Sequence, residues 1–293
     1  DATKGWVPLE DDVTALEPVA PNTQRAIFAY GNSGSVTNIS NLVNSSGVVA
    51  ADVSGVGTAR AGLAAATYGG DKAIFAFGSG YSNLSNLVTN QGVVGSDQTG
   101  VGTARDYLAA TSYGGDKAIF GYGNIYSGGY VIYSLKNLVS NSGVVATDVT
   151  GVGTARRELS ATTYGGDKGM FAYGNSGGAT MVSLKNLISN TGVVAADVSG
   201  VGTARNLLAA ATYGEDKSIF AYGQSSGGNV SMSNLVSNSG VIAADVSGVG
   251  TARRAPSGSG YGGDKGVFAY GYSSANVSMS NLVSNSGVIA ADV

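Results

Sequence analysis

Apolar residues along this chain come in short runs set between clusters of Gly, Asn, Ser and Asp, and none of the runs has helical spacing. One run, Lys72 to Gly78 (Lys-Ala-Ile-Phe-Ala-Phe-Gly), is written six times, the other copies being Arg25–Gly31, Lys117–Gly123, Lys168–Gly174, Lys217–Gly223 and Lys265–Gly271. Their central phenylalanines are Phe28, Phe75, Phe120, Phe171, Phe220 and Phe268, at steps of 47, 45, 51, 49 and 48 residues. A period of about 48 marks a repeat architecture. The run is β-branched and aromatic with no polar face, so it predicts a strand covered on both sides.

Around that strand each repeat reads as four. In the second copy, Leu63–Tyr68 is strand a, Gly69-Gly70-Asp71 a turn, Lys72–Phe77 strand b, Leu84–Val88 strand c, Thr89–Gly92 a turn and Val93–Ser96 strand d. Four antiparallel strands repeated six times predict an all-β chain folded as a six-bladed β-propeller. The blades run approximately 13–54, 55–99, 100–150, 151–199, 200–247 and 248–293. Residues 1–12, with Trp6, Glu10, Asp11 and Asp12, fall outside the period and read as a lead-in segment. Strand a is mostly alanine, as in Leu208-Ala209-Ala210-Ala211-Thr212, and small side chains suit the innermost strand of a blade. Pro18, Pro21 and Pro256 interrupt the inner strands of blades 1 and 6, which places the closure seam there.

The spacing between landmarks points to a face. From the strand c asparagine to the glycine before strand d is six residues in every copy, and from that glycine to the next phenylalanine is 28. Only the b–c loop changes length. In an antiparallel blade this loop leaves on the same side as the d–a connection, and repeat proteins place insertions on their binding face. The loop residues singled out as binding candidates are Tyr81, Asn124, Tyr126, Tyr130 and Tyr272. Tyrosines among Asn, Ser and Gly stack on sugar rings or anchor a protein partner.

Gly-Val-Gly-Thr-Ala-Arg recurs five times and ends at Arg60, Arg105, Arg156, Arg205 and Arg253, each eight residues after an aspartate: Asp52, Asp97, Asp148, Asp197 and Asp245. Repetition favours a structural role, a ring of charge-assisted bonds tying neighbouring blades together. No helix follows these glycines and no Lys-Ser/Thr pair closes the motif, so they do not read as phosphate loops.

Composition narrows the chemistry. With no histidine and no cysteine, a Ser-His-Asp triad and a disulfide are excluded, and no metal or cofactor is expected. A net charge of −3 gives no footprint for nucleic acid, and no apolar run is long enough to span a membrane. No carboxylate pair stands out of the repeat as a glycosidase acid and nucleophile would. The chain is expected not to be an enzyme.

The order Thr58-Ala59-Arg60, small strand a, then Gly69-Gly70-Asp71-Lys72-Ala73-Ile74-Phe75-Ala76-Phe77-Gly78 resembles a kelch repeat, over about 280 residues. It departs at the second glycine of the kelch pair, held here by Asn32, Ser79, Asn124, Asn175, Gln224 or Tyr272, and at the strand d tryptophan, replaced by Val or Ile. The wording also resembles kelch-like repeats of predicted bacteriophage virion structural proteins. That resemblance implies a tail, fibre or capsid-surface component, on a virion surface or extracellular, contacting another virion protein or a host-surface glycan through the b–c loops. The alternatives are a carbohydrate-active enzyme or lectin with its site at the channel, using an unrepeated acid such as Glu158 or Glu215, and a purely structural element that assembles into homo-oligomers.

Overall fold

The repeated apolar run becomes the middle strand of a small antiparallel sheet. The computed structural model describes residues 26–80 and 82–293, and among these there is strand, turn and irregular chain but no helix. The b strands are Ala26–Asn32, Lys72–Ala76, Lys117–Gly121, Lys168–Ala172, Lys217–Ala221 and Lys265–Ala269. Strands a flank them as Ala64–Tyr68, Ala109–Tyr113, Ser160–Tyr164, Ala209–Tyr213 and Ser257–Tyr261. On the other side lie strands c: Val36–Val43, Ser85–Val88, Lys136–Val139, Lys185–Ile188, Ser233–Val236 and Ser280–Val283. Five sheets therefore have the order a-b-c, and the first repeat contributes a b-c pair. The lead-in segment and the expected first strand a, with Pro18 and Pro21, lie outside the described residues.

Strand d differs from expectation. It pairs with strand c only at isolated bridges, such as Val94 with Val88 and Gln98 with Ser85. Between the bridges the chain bows away, and the strand c asparagine fills the gap. Asn86 Nδ2 donates to Gly95 O and to Asp97 Oδ1, and Asn41, Asn137, Asn186, Asn234 and Asn281 repeat this pair of bonds. A side-chain amide thus stands in for a missing ladder bond, and the detour brings an aspartate back towards the sheet.

Successive repeats pack through one recurring junction. The residue two after the central phenylalanine (Tyr30, Phe77, Tyr122, Tyr173, Tyr222 or Tyr270) has a left-handed backbone, φ +63 to +67°. This turns its ring out of the strand and onto the phenylalanine of the following repeat, with centroids 5.1–5.5 Å apart. Tyr270 of the sixth repeat meets Phe28 of the first in the same way. Leu282 and Tyr261 of the sixth repeat also border Gly47 of the first, as Leu87 and Tyr68 border Gly143 elsewhere. The circuit of contacts is therefore closed. Strands a of neighbouring repeats lie side by side within it. The glycine after each ring residue is required: at Gly223 a Cβ would meet Asn206 O at 2.7 Å, and φ is +103°.

The arginines sit behind these rings. Each of the five is fully buried and stacks on the ring of the preceding repeat at 3.9–4.8 Å. Arg205 shows the bonding pattern. Its Nε donates to Tyr222 O at 3.0 Å, Nη2 to Asn234 Oδ1 at 2.6 Å and Nη1 to Thr203 O at 3.3 Å. Its carboxylate partner is Asp245 at 3.8 Å, not Asp197 eight residues before it. The same shift holds throughout: Arg60 faces Asp97, Arg105 Asp148, Arg156 Asp197 and Arg253 Asp292, while Asp52 accepts from Asn41. The charge-assisted bonds consequently lie within a repeat, holding strands a, b, c and the d segment together, and the tie between repeats is the aromatic stack. The expectation of an Asp52–Arg60 type link between neighbours is corrected accordingly. Proximity in sequence suggested it, but each arginine belongs to the repeat that opens after the d–a connection and faces the aspartate of that same repeat.

Removing the guanidinium would strand several buried acceptors at once. Arg205→Met is expected to lower stability by about 3 kcal/mol or more, read as a reduced denaturation midpoint. Arg205→Lys is expected not to restore it, since an ammonium cannot reproduce the fork.

The clamp aspartates also set an acid limit. Burial raises the Asp245 carboxyl, but donation from Thr203 and Asn234 and the Arg205 charge outweigh it and hold the carboxyl below its usual range. Asp97, Asp148, Asp197 and Asp292 behave alike. Carboxyls depressed in the folded state contribute stability that is present above the unfolded value and lost as pH falls through the folded one. The melting temperature is expected to hold between about pH 7 and 5 and to fall below about pH 4; a melting temperature unchanged at pH 3 would contradict the clamp's electrostatic role.

Candidate functional site

The b–c loops and the d–a entries emerge on one side of the repeats, and a series of contacts from the second repeat to the sixth runs there. The residue two after each clamp arginine has a left-handed backbone: Gly62 at φ +63°, Tyr107 +52°, Glu158 +57°, Leu207 +50° and Ala255 +51°. This turn aims its N–H at the preceding repeat. Tyr107 N donates to Gly62 O at 2.7 Å, Glu158 N to Tyr107 O at 2.8 Å, Leu207 N to Glu158 O at 2.8 Å and Ala255 N to Leu207 O at 2.7 Å. The result is a belt of backbone bonds at the start of strands a.

Glycine is the residue that such a backbone suits, and Gly62 shows that the belt accepts one. The four other positions carry side chains at a cost of about 1 kcal/mol each. The residue before them also changes from repeat to repeat, as Ala61, Asp106, Arg157, Asn206 and Arg254. This dipeptide is the most variable place in an otherwise constant frame. Length comparison overlooked it because nothing is inserted there; comparing residue identity at fixed register would have found it.

The variable dipeptides meet the longest b–c loop in one patch. That loop forms a hairpin, Asn124–Tyr126 with Tyr130–Ile132. Tyr126 and Tyr130 are 54% and 56% exposed and pack edge to face at 5.2 Å. Arg157, from the next repeat, lies 3.7 Å from the Tyr130 ring centroid. The same arginine faces Glu158 Oε1 at 3.7 Å, and Asn206 Nδ2 donates to Glu158 Oε2. On the other side Asp106 and Asn124 exchange backbone hydrogen bonds at 2.9 Å. Burial pushes the Asp106 carboxyl above its usual value, with Arg157 opposing and Glu158 reinforcing. Burial, together with the nearby charges of Asp106 and Glu158, likewise raises Tyr107.

The patch is short of hydrogen-bond partners. Among the described residues seven buried side-chain polar atoms have none, and four of them are here: Asp106 Oδ1, Asn124 Oδ1, Arg157 Nε and Asn206 Oδ1. Such atoms ordinarily find a partner. What the patch offers is thus an aromatic platform above a group of under-used acceptors and one donor.

The structure distributes the candidate loop residues unevenly. Tyr126 and Tyr130 are together and exposed. Asn124 is 1% exposed: with the hairpin in this position its side chain is interior, and its backbone is bonded to that of Asp106. Tyr272 stands on the sixth repeat, stacked with Arg254 at 4.8 Å, as a separate pair. Tyr81 lies outside the described residues. Of the two unrepeated acids, Glu158 belongs to the patch. Glu215 sits in the exposed turn between Ala209–Tyr213 and Lys217–Ala221, at the other end of strand a. A strand of five residues separates them by about 17 Å, so they do not form one site. Two surface depressions, one lined by Leu42, Val48 and Ala50 and one by Asn229, Met232 and Ser247, lie outside the patch.

Among the described residues no three His, Cys, Asp or Glu side chains group as a metal site, and no helix is long and apolar enough to cross a membrane. No protein-family model matches the chain, and no curated protein matches it.

The left-handed belt yields a test of whether its side chains serve the fold. Tyr107→Gly and Leu207→Gly are expected to leave the melting temperature unchanged or raise it, by up to about 1 kcal/mol in stability. A loss of more than that would assign the side chains to packing.

Proposed function

We propose that the chain is a six-bladed β-propeller acting as a non-enzymatic binding module through its b–c loop face. Support for the propeller comes from the closed circuit of junctions, in which Tyr270 meets Phe28 as every other ring meets its successor, and from strands a lying side by side. The single observation that carries the binding reading is the patch of unrepeated residues around Tyr107, Tyr126, Tyr130, Arg157 and Glu158. These positions depart from an otherwise regular repeat, keep side chains at strained backbone, and expose aromatic rings beside charged groups. Binding fits better than turnover, because Glu158 is already engaged by Arg157 and Asn206. In this reading the resemblance to bacteriophage virion repeats puts the module on a particle surface, facing another virion protein or a host glycan.

A second reading has one observation in its favour. The valine opening each d segment is well exposed, from 58% at Val93 to 64% at Val144 and Val288, and the segment's outer edge is free to meet another chain. This suits lateral self-assembly.

One experiment addresses both. Immobilised full-length chain is exposed to host-cell envelope and to the other particle proteins, and its mass in solution is measured beside the 29.0 kDa monomer. The double variant Tyr126→Ala/Tyr130→Ala is expected to bind at least about ten-fold more weakly with unchanged melting temperature. Undiminished binding by that variant removes this face from the site, and a stable oligomer with no other partner favours self-assembly.

A further inference from the structure

The chemistry of the rim patch identifies a class of ligand, an inference that rests on the binding-module reading. The geometry points to a neutral saccharide, seated against the Tyr126–Tyr130 pair with its hydroxyls engaging Asp106, Asn124, Asn206 and Arg157. Three of the four unpartnered atoms are acceptors, and one is a donor. The Asn206 assignment follows from its bonding: Nδ2 points at a carboxylate, so Oδ1 is the free acceptor. Hydroxyl groups suit such a mixture, since each donates and accepts. An anionic group does not, because it would face Asp106, Glu158 and two amide oxygens with only Arg157 in its favour.

Asn124 and Asn206 are 1% and 5% exposed, and Tyr130 lies on Arg157, so the polar groups of the patch are covered. Opening them requires the hairpin to shift. Its tip is built for this: Gly128 and Gly129 have no other group of the protein near where a Cβ would be, so the turn stands clear of the body. A tyrosine lifted from Arg157 keeps a face for the apolar side of a pyranose. The guanidinium Nε that it covered is then free to donate to a ring hydroxyl. The b–c loop and the belt dipeptides of three successive repeats thereby contribute to one site, which explains why their irregularities coincide.

The test uses the full chain on a glycan array holding neutral, amino and acidic saccharides, with a lysine-rich peptide as a cationic control, followed by calorimetry with the best neutral oligosaccharide. Retention of neutral glycans is expected, weakened at least about ten-fold by Tyr130→Ala and by Asn206→Leu. Tyr130→Phe should retain most of the affinity, and melting curves of all three variants check that they fold. Retention of the acidic probes or the peptide in place of neutral glycans would overturn the assignment, as would affinity unchanged in Asn206→Leu. If no glycan binds while Tyr126→Ala/Tyr130→Ala still abolishes capture of a particle protein, the saccharide is wrong and the binding face stands. If neither readout responds, both readings fall.

Discussion

A buried guanidinium laid on the aromatic ring of the preceding repeat is the interaction on which this structure depends. A fully buried charge is costly unless its donors are used; Arg60, Arg105, Arg205 and Arg253 are each hydrogen-bonded through all three nitrogens, Arg156 through Nη2 alone. Here the strand b carbonyl, the strand c asparagine and the d-segment aspartate supply the acceptors, so the strands of a repeat must be correctly placed before the arginine can be housed. The ring that covers it comes from a different repeat, so no repeat completes its own interior. Packing within a unit and packing between units are made conditional on the same side chain. Arg105 shows that the ring's apolar face matters more than its hydroxyl, since its partner is Phe77. The tyrosines elsewhere add a bond to a valine carbonyl of the following repeat, at 3.1–3.3 Å.

Much of this was legible in the sequence because it is written at fixed intervals. The b strands, strands a, the c strands and the tight turns all fall where alternation and turn residues put them. What could not be read was whatever depends on chain direction over long separation. The arginine's aspartate is some 40 residues onward rather than eight back, 40 being the Arg205–Asp245 interval. Strand d was legible only as apolar residues near a glycine. Whether such a segment ladders or bows out is decided by the asparagine across from it, whose amide competes for the backbone groups.

The candidate site illustrates the same limit in another form. Loop length pointed to the side of the repeats that carries the patch and to Tyr126 and Tyr130, because insertions announce themselves. The partners beneath, Arg157, Glu158 and Asn206, sit at unchanged spacing and come from different repeats. Only the left-handed belt, which carries successive repeats past one another, brings them under the hairpin. Asn124 belongs to both loop and scaffold, opening the hairpin and bonded through its backbone to Asp106. Regular repetition thus supplies rigidity, and the few residues that escape it are free to differ without altering the frame.

The junctions have a direction: each ring meets the phenylalanine of the following repeat, and in five of them it is covered by that repeat's arginine. Head-to-tail surfaces of this kind close when the rotation per unit returns to its start and otherwise propagate without limit. Here Tyr270 finds Phe28 within the same molecule. A chain cut short by one repeat would keep both complementary ends but lose the partner that satisfies them. Two such ends on separate molecules are free to meet head to tail.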